Sequence, residues 1–528
     1  MSPSVATGGM VATSHPLATE AALEVLGAGG NAVDAALAAA AVTWVVLPMM
    51  CGPGGDAFAL VYDPADGEVI GVGSGGLAPL AATPEWFAER GHRLIPTSGP
   101  LSVGVPGAPA TMEELAVRFG RLEFGDHFAA ALRHADRGFP VSAPLAALFA
   151  AHAGRLDGDP ESHRVYGAVR EGAVLVQPDL ARSIEAIALE GSRVLYQGRL
   201  AEAITAYLRQ AGGLLTLEDL AENRVDVYAA PSVDYRGDRV YETAPPSQGF
   251  VVLEELKILE RFDLGSLAED GEEAIHLLVE ANKLAIEDRL RFAGDPRLVE
   301  WELGRLLSAE HAEERARLID RERARAMAPP VGAAGGDTTY LCVVDRDGLA
   351  VSFVHSLSLA FGAAVTVPGT GILLNDRVGR GFTLEAGHPN RIAPHKRTMS
   401  TLNCYLVTRD GKPAIVGGTP GGDGQVQWNL QVLSAMLDHG SDPQAAVSAP
   451  RWTHGPSTDP WTLDAPETLT VEERLPEATR AGLRRRGHPV RTVGPWQAGG
   501  SAQVIAIEPS GLLRGGSDPR GGGLALGR

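Results

Sequence analysis

The stretch GGDTTYLCVVD, Gly335 to Asp345, leaves a glycine pair, passes one acid and two adjacent threonines, and at once becomes an apolar strand. A threonine hydroxyl inside a chain is a poor nucleophile, because nothing beside it takes its proton. Cleavage between Asp337 and Thr338 changes that. The new α-amino group has a reference pKa of about 7.7 to 8.0 and can serve as general base for the hydroxyl of its own residue. One residue then supplies nucleophile and base, a strand start fixes its direction, and the Gly/Ala-rich segment before it lets the severed end swing clear. β-Propensity alone also places threonines in front of LCVV, so other stretches have to decide. IVGGTPGGDGQ, Ile415 to Gln425, ends a strand on Thr419-Pro420-Gly421-Gly422 before a helix, an arrangement that can turn backbone N–H groups toward a developing oxyanion. HKRTMSTLN, His395 to Asn403, adds a basic trio and hydroxyls ahead of another strand.

The elements that must position these residues follow from periodicity. Residues 16 to 47 carry apolar side chains at three- and four-residue spacing, interrupted at Gly27 to Gly30, which predicts two packed helices. CGPGGDAFALVYDPADGEVIGVGSGG predicts a hairpin of Ala57–Tyr62 with a strand near Glu68 to Val72. From Pro84 to about Leu290 helical patterns dominate, as in EEAIHLLVEANKLAIEDRLRF. AEHAEERARLIDRERARAMAPPVGAAGGD reads as a charged helix and then a Pro/Gly/Ala linker with nothing to bury. After Asp337 the texture is β: TTYLCVVD, LAVSFVHS, GILLN, NCYLVT, PAIVGG and SAQVIAIE, with a helix from about Gln427 to Met436. The threonine pair therefore lies where a helix-rich part passes into a strand-rich part.

Bulk properties exclude several classes. The 528 residues are 45% hydrophobic, enough for a large core. The formal charge of -19 repels phosphate backbones and anionic lipid, so neither nucleic acid nor a membrane is an expected partner. Cys51, Cys342 and Cys404 are odd in number and lack a CxxC pair, which predicts reduced, mostly buried thiols. The N-terminus lacks the basic start and apolar core of a signal peptide, and the apolar run Ala32 to Leu47 carries Asp34, so a cytoplasmic location is expected. GVGSGG, Gly71 to Gly76, satisfies a dinucleotide-binding pattern, but Leu77-Ala78-Pro79 follows instead of a helix start. His152, His163 and the other histidines show no metal-ligand spacing. No metal and no cofactor are expected. Cys342 as nucleophile is the weaker idea: it shares the face of Thr338 by alternation but stands about 13 Å along the strand.

PLATEAALEVLGAGGNAVDAALA, GVPGAPATMEELAVRFG, APPSQGFVVLEELKILE, DTTYLCVVDRDGLAVSF, GILLND, APHKRTMSTLN, GGTPGGDGQ, SAPRW and GSDPRGGG follow one another along nearly the whole chain. In that order they resemble the γ-glutamyltranspeptidase family of N-terminal nucleophile hydrolases. The resemblance implies an α/β (α+β) architecture, a four-layer αββα sandwich. It also implies a precursor that cuts itself into an α part, 1–337, and a β part, 338–528, which stay together as one unit. Carried over by position, Thr338 is the nucleophile and, with Asp337, the processing site. Ser356 falls where the family has a supporting threonine, and Ser358 where it often has asparagine. Gly421 and Gly422 match the oxyanion glycines. Ser400 and Thr401 match paired serines of the substrate site, and Asp423 of GGDGQ is placed with them.

Two departures bear on the substrate. Glutathione-cleaving members hold the donor's α-carboxylate with an arginine whose position here is Gly75. Past GILLN this chain has Arg377 and Arg380 where those members carry groups that hold the α-amino cation, a pairing of like charges. The expected donor is a small, anionic acyl compound without an ammonium, as in the branch that includes oxamate amidohydrolases. Water or an amine accepts the acyl group, and a homo-oligomer is an open possibility. The alternatives are a conventional γ-glutamyltransferase or glutathione hydrolase, a carbon-carbon bond hydrolase of a natural-product pathway acting next to an oxalyl group, and a catalytically silent binding relative.

Overall fold

The computed structural model describes residues 2–326, 337–456 and 465–528; the linker expected at 327–336 lies outside them. Among the described residues two seven-stranded antiparallel sheets form the centre. One runs edge to edge through Leu524–Gly527, Gly9–Thr13, Asp337–Asp345, Ala350–Ser358, Asp56–Asp63, Glu68–Ser74 and Asp226–Ala229. The other runs through Ser4–Ala6, Leu513–Ser517, Gln503–Ile507, Lys412–Gly418, Tyr405–Arg409, Asp238–Glu242 and Ser232–Tyr235.

Alternation along the strands builds four layers. In Asp337–Asp345, Leu341 and Val343 join a core with the helices Pro16–Ala28 and Ala32–Val46. Tyr340, Cys342 and Val344 face the opposite way, into a core with Leu406, Val416 and Ile505 of the second sheet. That sheet's outer face, with Val240, Tyr405, Val407 and Val504, packs on helices Gly249–Leu259, Glu272–Phe292 and Gly424–Leu437. The order is helix, sheet, sheet, helix, the αββα sandwich expected from the resemblance.

The two N-terminal helices are separated as the glycines predict. The first ends at Gly29 with φ 100, and the second opens on a capping box between Asn31 and Asp34. All of Ala32–Val46 is buried, and no helix among the described residues is long and apolar enough to cross a membrane.

One expectation is corrected. The region read as helical from Pro84 to Leu290 contains Asp226–Ala229, Ser232–Tyr235 and Asp238–Glu242, which supply an edge strand to one sheet and two strands to the other. The charged helix before the linker runs over Ala309–Ala316, and its His311 lies 2.9 Å from Asp288 and 3.2 Å from Glu254 inside the helical layer. Charge pairing holds it there, with Ala312 and Ala316 buried beside the pair.

Candidate active site

Thr338 is the second residue of its strand and is buried. Asp337 pairs with Ser358 and Thr339 with His355, so the partner strand advances three residues while this one advances two. Such a bulge lets one residue face two, and Thr338 lies against Ser356 and Leu357. Its Oγ1 donates to Ser356 Oγ at 3.2 Å, and the same oxygen accepts from the Ser358 amide at 2.8 Å. Leu357 is drawn off by its amide, which donates to the Met50 carbonyl at 2.9 Å. Ser358 is in the left-handed region, φ 92, directly opposite Asp337. By alternation with Tyr340 the Thr338 side chain belongs to the face between the two sheets, the side on which the second sheet presents the end of Lys412–Gly418.

That end approaches closely: a Cβ on Gly418 would lie 2.5 Å from the Tyr340 ring, and Ser352 Oγ donates to the Gly417 carbonyl at 3.2 Å. The chain then turns through Thr419 to Asp423 into helix Gly424–Leu437. Gly421 (φ 131) and Gly422 (φ 58) occupy conformations that disfavour other residues, and a Cβ on Gly421 would lie 2.0 Å from the Trp428 ring. Their carbonyls accept from Gly424 and Gln425 at 3.1 Å, while neither glycine's amide donates to another described residue. Two donors without acceptors at a strand-to-helix turn form a place for an anion.

Ser400 and Thr401 face this turn from the side, and one buried residue joins them to it. Gln248 donates its amide to the Ser400 carbonyl at 2.8 Å and its Nε2 to the carbonyls of Thr401, at 2.8 Å, and Gly422, at 3.1 Å. Arg289 Nη1 donates to Gln248 Oε1 and, at 2.8 Å, to Asp423 Oδ1.

Arg377 and Arg380 are both buried, and both line a cavity of about 80 Å³ whose wall also contains Phe382, Met399, Thr401 and Asp423. That volume holds roughly half a dozen waters. Arg380 donates to the Ser358 carbonyl at 3.3 Å, which ties it to the residue facing Asp337. Arg377 is not the uncompensated cation that the sequence suggests, because its Nε donates to Asp56 Oδ2 at 2.5 Å. Burial depresses the Arg377 pKa, with Asp56 opposing and Arg380 adding to the effect. The Asp56 carboxyl is pushed up to about 6, burial outweighing Arg377 and the Gly76 amide. Arg377 Nη2 has no hydrogen-bond partner among the described residues. Asp56 also explains Gly75: a Cβ there would lie 2.1 Å from Asp56 Oδ1 at φ 142, so that carboxylate and a side chain at 75 exclude one another.

Sequence reasoning missed Asp56, Gln248 and Arg289. Asp56 follows a glycine-rich turn at a strand start, and its partner is 321 residues away. Gln248 lies in the quoted APPSQG without an assigned task. Arg289 is a charge on the buried side of Glu272–Phe292, and no charge pattern marks it. Burial pushes the Cys342 thiol up, so it holds its proton and is no rival nucleophile. His276, Glu280 and His488, and separately Glu254, Asp288 and His311, come close enough to share a metal, which their sequence spacing does not reveal. In each group a cation already meets the carboxylate: Lys283 lies 3.0 Å from Glu280, and Arg315 pairs with Asp288.

An αββα sandwich in which a buried threonine at a strand start bonds a serine hydroxyl fits the class of N-terminal nucleophile hydrolases. The family model for gamma-glutamyltranspeptidase matches residues 18–527, and the chain belongs to that family. It is 37% identical over 529 residues to the glutathione hydrolase-like YwrD proenzyme of Bacillus subtilis, covering 99% of each chain. It is 35% identical to the oxamate amidohydrolase proenzyme of Klebsiella pneumoniae, covering 100% of this chain and 99% of that one. Among solved structures, the cephalosporin acylase from Bacillus halodurans superposes with a TM-score of 0.92 at 36% identity, over 100% of this chain and 97% of that one. The protein is an enzyme, a hydrolase of this family.

Proposed function

We propose that this protein is a self-processing amidohydrolase whose Thr338 forms an acyl-enzyme with a small anionic donor of the oxamate or oxalyl type. The observation that carries the mechanism is the Thr338 hydroxyl, donating to Ser356 at 3.2 Å on the bulge of a strand whose Tyr340 ring lies against Gly418, three residues before the glycine turn. In the precursor, Thr338 Oγ1 attacks the Asp337 carbonyl, the acyl group moves from nitrogen to oxygen, and water opens the ester. Asp337 becomes a carboxylate terminus, and Thr338 gains its α-amine. In turnover this amine takes the hydroxyl proton as Oγ1 attacks the donor, Gly421 and Gly422 hold the oxyanion, and the departing amine leaves with the proton. Water then releases the acid; an amine in its place gives transfer. The parts 1–337 and 338–528 stay joined, because both sheets take strands from each.

The anionic donor is supported by the cavity beside the turn, which is small and lined by Arg377 and Arg380. Asp56 offsets the Arg377 charge, so attraction of an anion falls to Arg380 beside the Arg377–Asp56 pair more than to a bare double positive charge. The reading also places the enzyme in the cytoplasm.

Mass spectrometry of purified wild type should give two fragments meeting at Thr338, and Thr338→Ala should give one chain without turnover. A processed or active Thr338→Ala protein refutes the mechanism. Product release is then compared for oxamate, a γ-glutamyl anilide and a cephalosporin side-chain amide. Preference for the γ-glutamyl compound overturns the donor class and leaves the threonine chemistry standing.

A further inference from the structure

The oxyanion turn contains two glycines, which offer no side chain for packing to grip. Its position must be set by bonds to its backbone and its neighbours. Beside the bonds from Gly424 and Gln425 within its own segment, Gln248 ties it to the opposite wall. It is fully buried at the start of helix Gly249–Leu259, and its side-chain NH₂ group reaches both walls of the site, the carbonyl of Thr401 on one side and that of Gly422 on the other. Its own amide holds the Ser400 carbonyl. A primary amide flipped end for end would put its oxygen against two carbonyls, and Arg289 forbids that flip, since its Nη1 occupies the acceptor side and from the same nitrogen holds Asp423.

We propose that Gln248, oriented by Arg289, is the positioning residue that sets the spacing between the Gly421–Gly422 turn and the Ser400–Thr401 wall, and so the strength of oxyanion binding. The inference rests on Thr338 being the nucleophile. Gln248 touches no reacting atom and acts through Gly422.

The test is the rate at which p-nitrophenyl acetate acylates Thr338 in matured protein, followed by nitrophenolate release and by mass, with thermal unfolding in parallel. Gln248→Glu keeps shape and burial and can still meet Arg289, but as a carboxylate it faces two carbonyl oxygens without a proton to give. Acylation should fall about 30-fold, within the range for displaced catalytic geometry, chiefly in the rate at saturation and with little change in half-saturation. Arg289→Lys keeps the charge but loses the fork, and should fall about 5-fold by the same principle; it carries the test if Gln248→Glu does not mature. Acylation of Thr338 at the wild-type rate in both variants overturns the inference and spares the nucleophile assignment. A wild type that is acylated elsewhere, or equally fast as Thr338→Ala, removes the assignment and the inference together. Loss of rate matched by an equal loss of folded protein also counts against positioning, which predicts slower acylation per folded molecule.

Discussion

Two strand ends in this molecule run into glycine pairs of similar φ and meet opposite surroundings. Glu68–Ser74 runs into Gly75 and Gly76 with φ 142 and 70; Lys412–Gly418 runs, three residues later, into Gly421 and Gly422 with φ 131 and 58. Both are too crowded for a Cβ. At Gly75 the obstacle is the Asp56 carboxylate, whose negative charge the Gly76 amide helps to hold; at Gly421 it is the Trp428 indole, pinned through Nε1 to Thr453 at 2.9 Å. The first turn already contains its anion. The second is closed by an apolar ring and leaves its amides without one, and a helix start adds to their pull on negative charge. Similar glycine φ values therefore say nothing about function until the group that fills the missing side chain's space is known.

The largest expected effect breaks the second turn. Gly421→Ala puts a methyl group into the Trp428 ring at a φ that alanine rarely adopts, so the turn must move. Turnover should fall at least about 100-fold, as when an oxyanion donor is lost, while half-saturation changes little; active-site titration with steady-state kinetics measures both. Retained turnover would mean that the oxyanion is held elsewhere. Breaking the first turn acts foremost on stability. Asp56→Ala leaves the buried Arg377 guanidinium without its carboxylate and should destabilise the fold by about 3 kcal/mol, read from denaturant midpoints at pH 7. An unchanged midpoint would show that Arg377 finds another partner.

The same contrast explains what could be read from the sequence. TTYLCVV shows its own two-faced strand, and GGTPGGDGQ shows its turn, because glycine and alternation act within a few residues. DVYA, SVDY and DRVYE were hidden within a helical stretch. These strands have only four or five residues; SVDY and DRVYE pair with each other locally, but what joins DVYA and DRVYE to the sheets is pairing with Glu68–Ser74 and Tyr405–Arg409, far away in the chain. Arg377 was visible as a charge, but its neutralisation by Asp56 was not, since a salt bridge across 321 residues leaves no local pattern. The glycine at 75 was legible as a missing arginine; the reason no side chain fits there is tertiary.

The smallest effect sharpens the comparison, because only the first turn should respond to mild acid. Burial pushes the Asp56 carboxyl up to about 6 from its ordinary value of 3.8. Between those values the native state holds a proton that the unfolded chain has released, so the contribution is fully present below 3.8 and is lost as pH rises through 6. Its slope is at most about 1.4 kcal/mol per pH unit. Asp56→Asn cannot titrate and should remove this slope: the difference in unfolding free energy between variant and wild type, followed from pH 4 to 7, bends near 6. As Asp56 takes up its proton, Arg377 also loses its counter-charge, so half-saturation for an anionic donor should fall as pH drops through 6 in the wild type and stay flat in the variant. Parallel curves for both proteins would mean that the carboxylate remains ionised throughout, and that the ion pair with Arg377 outweighs its burial.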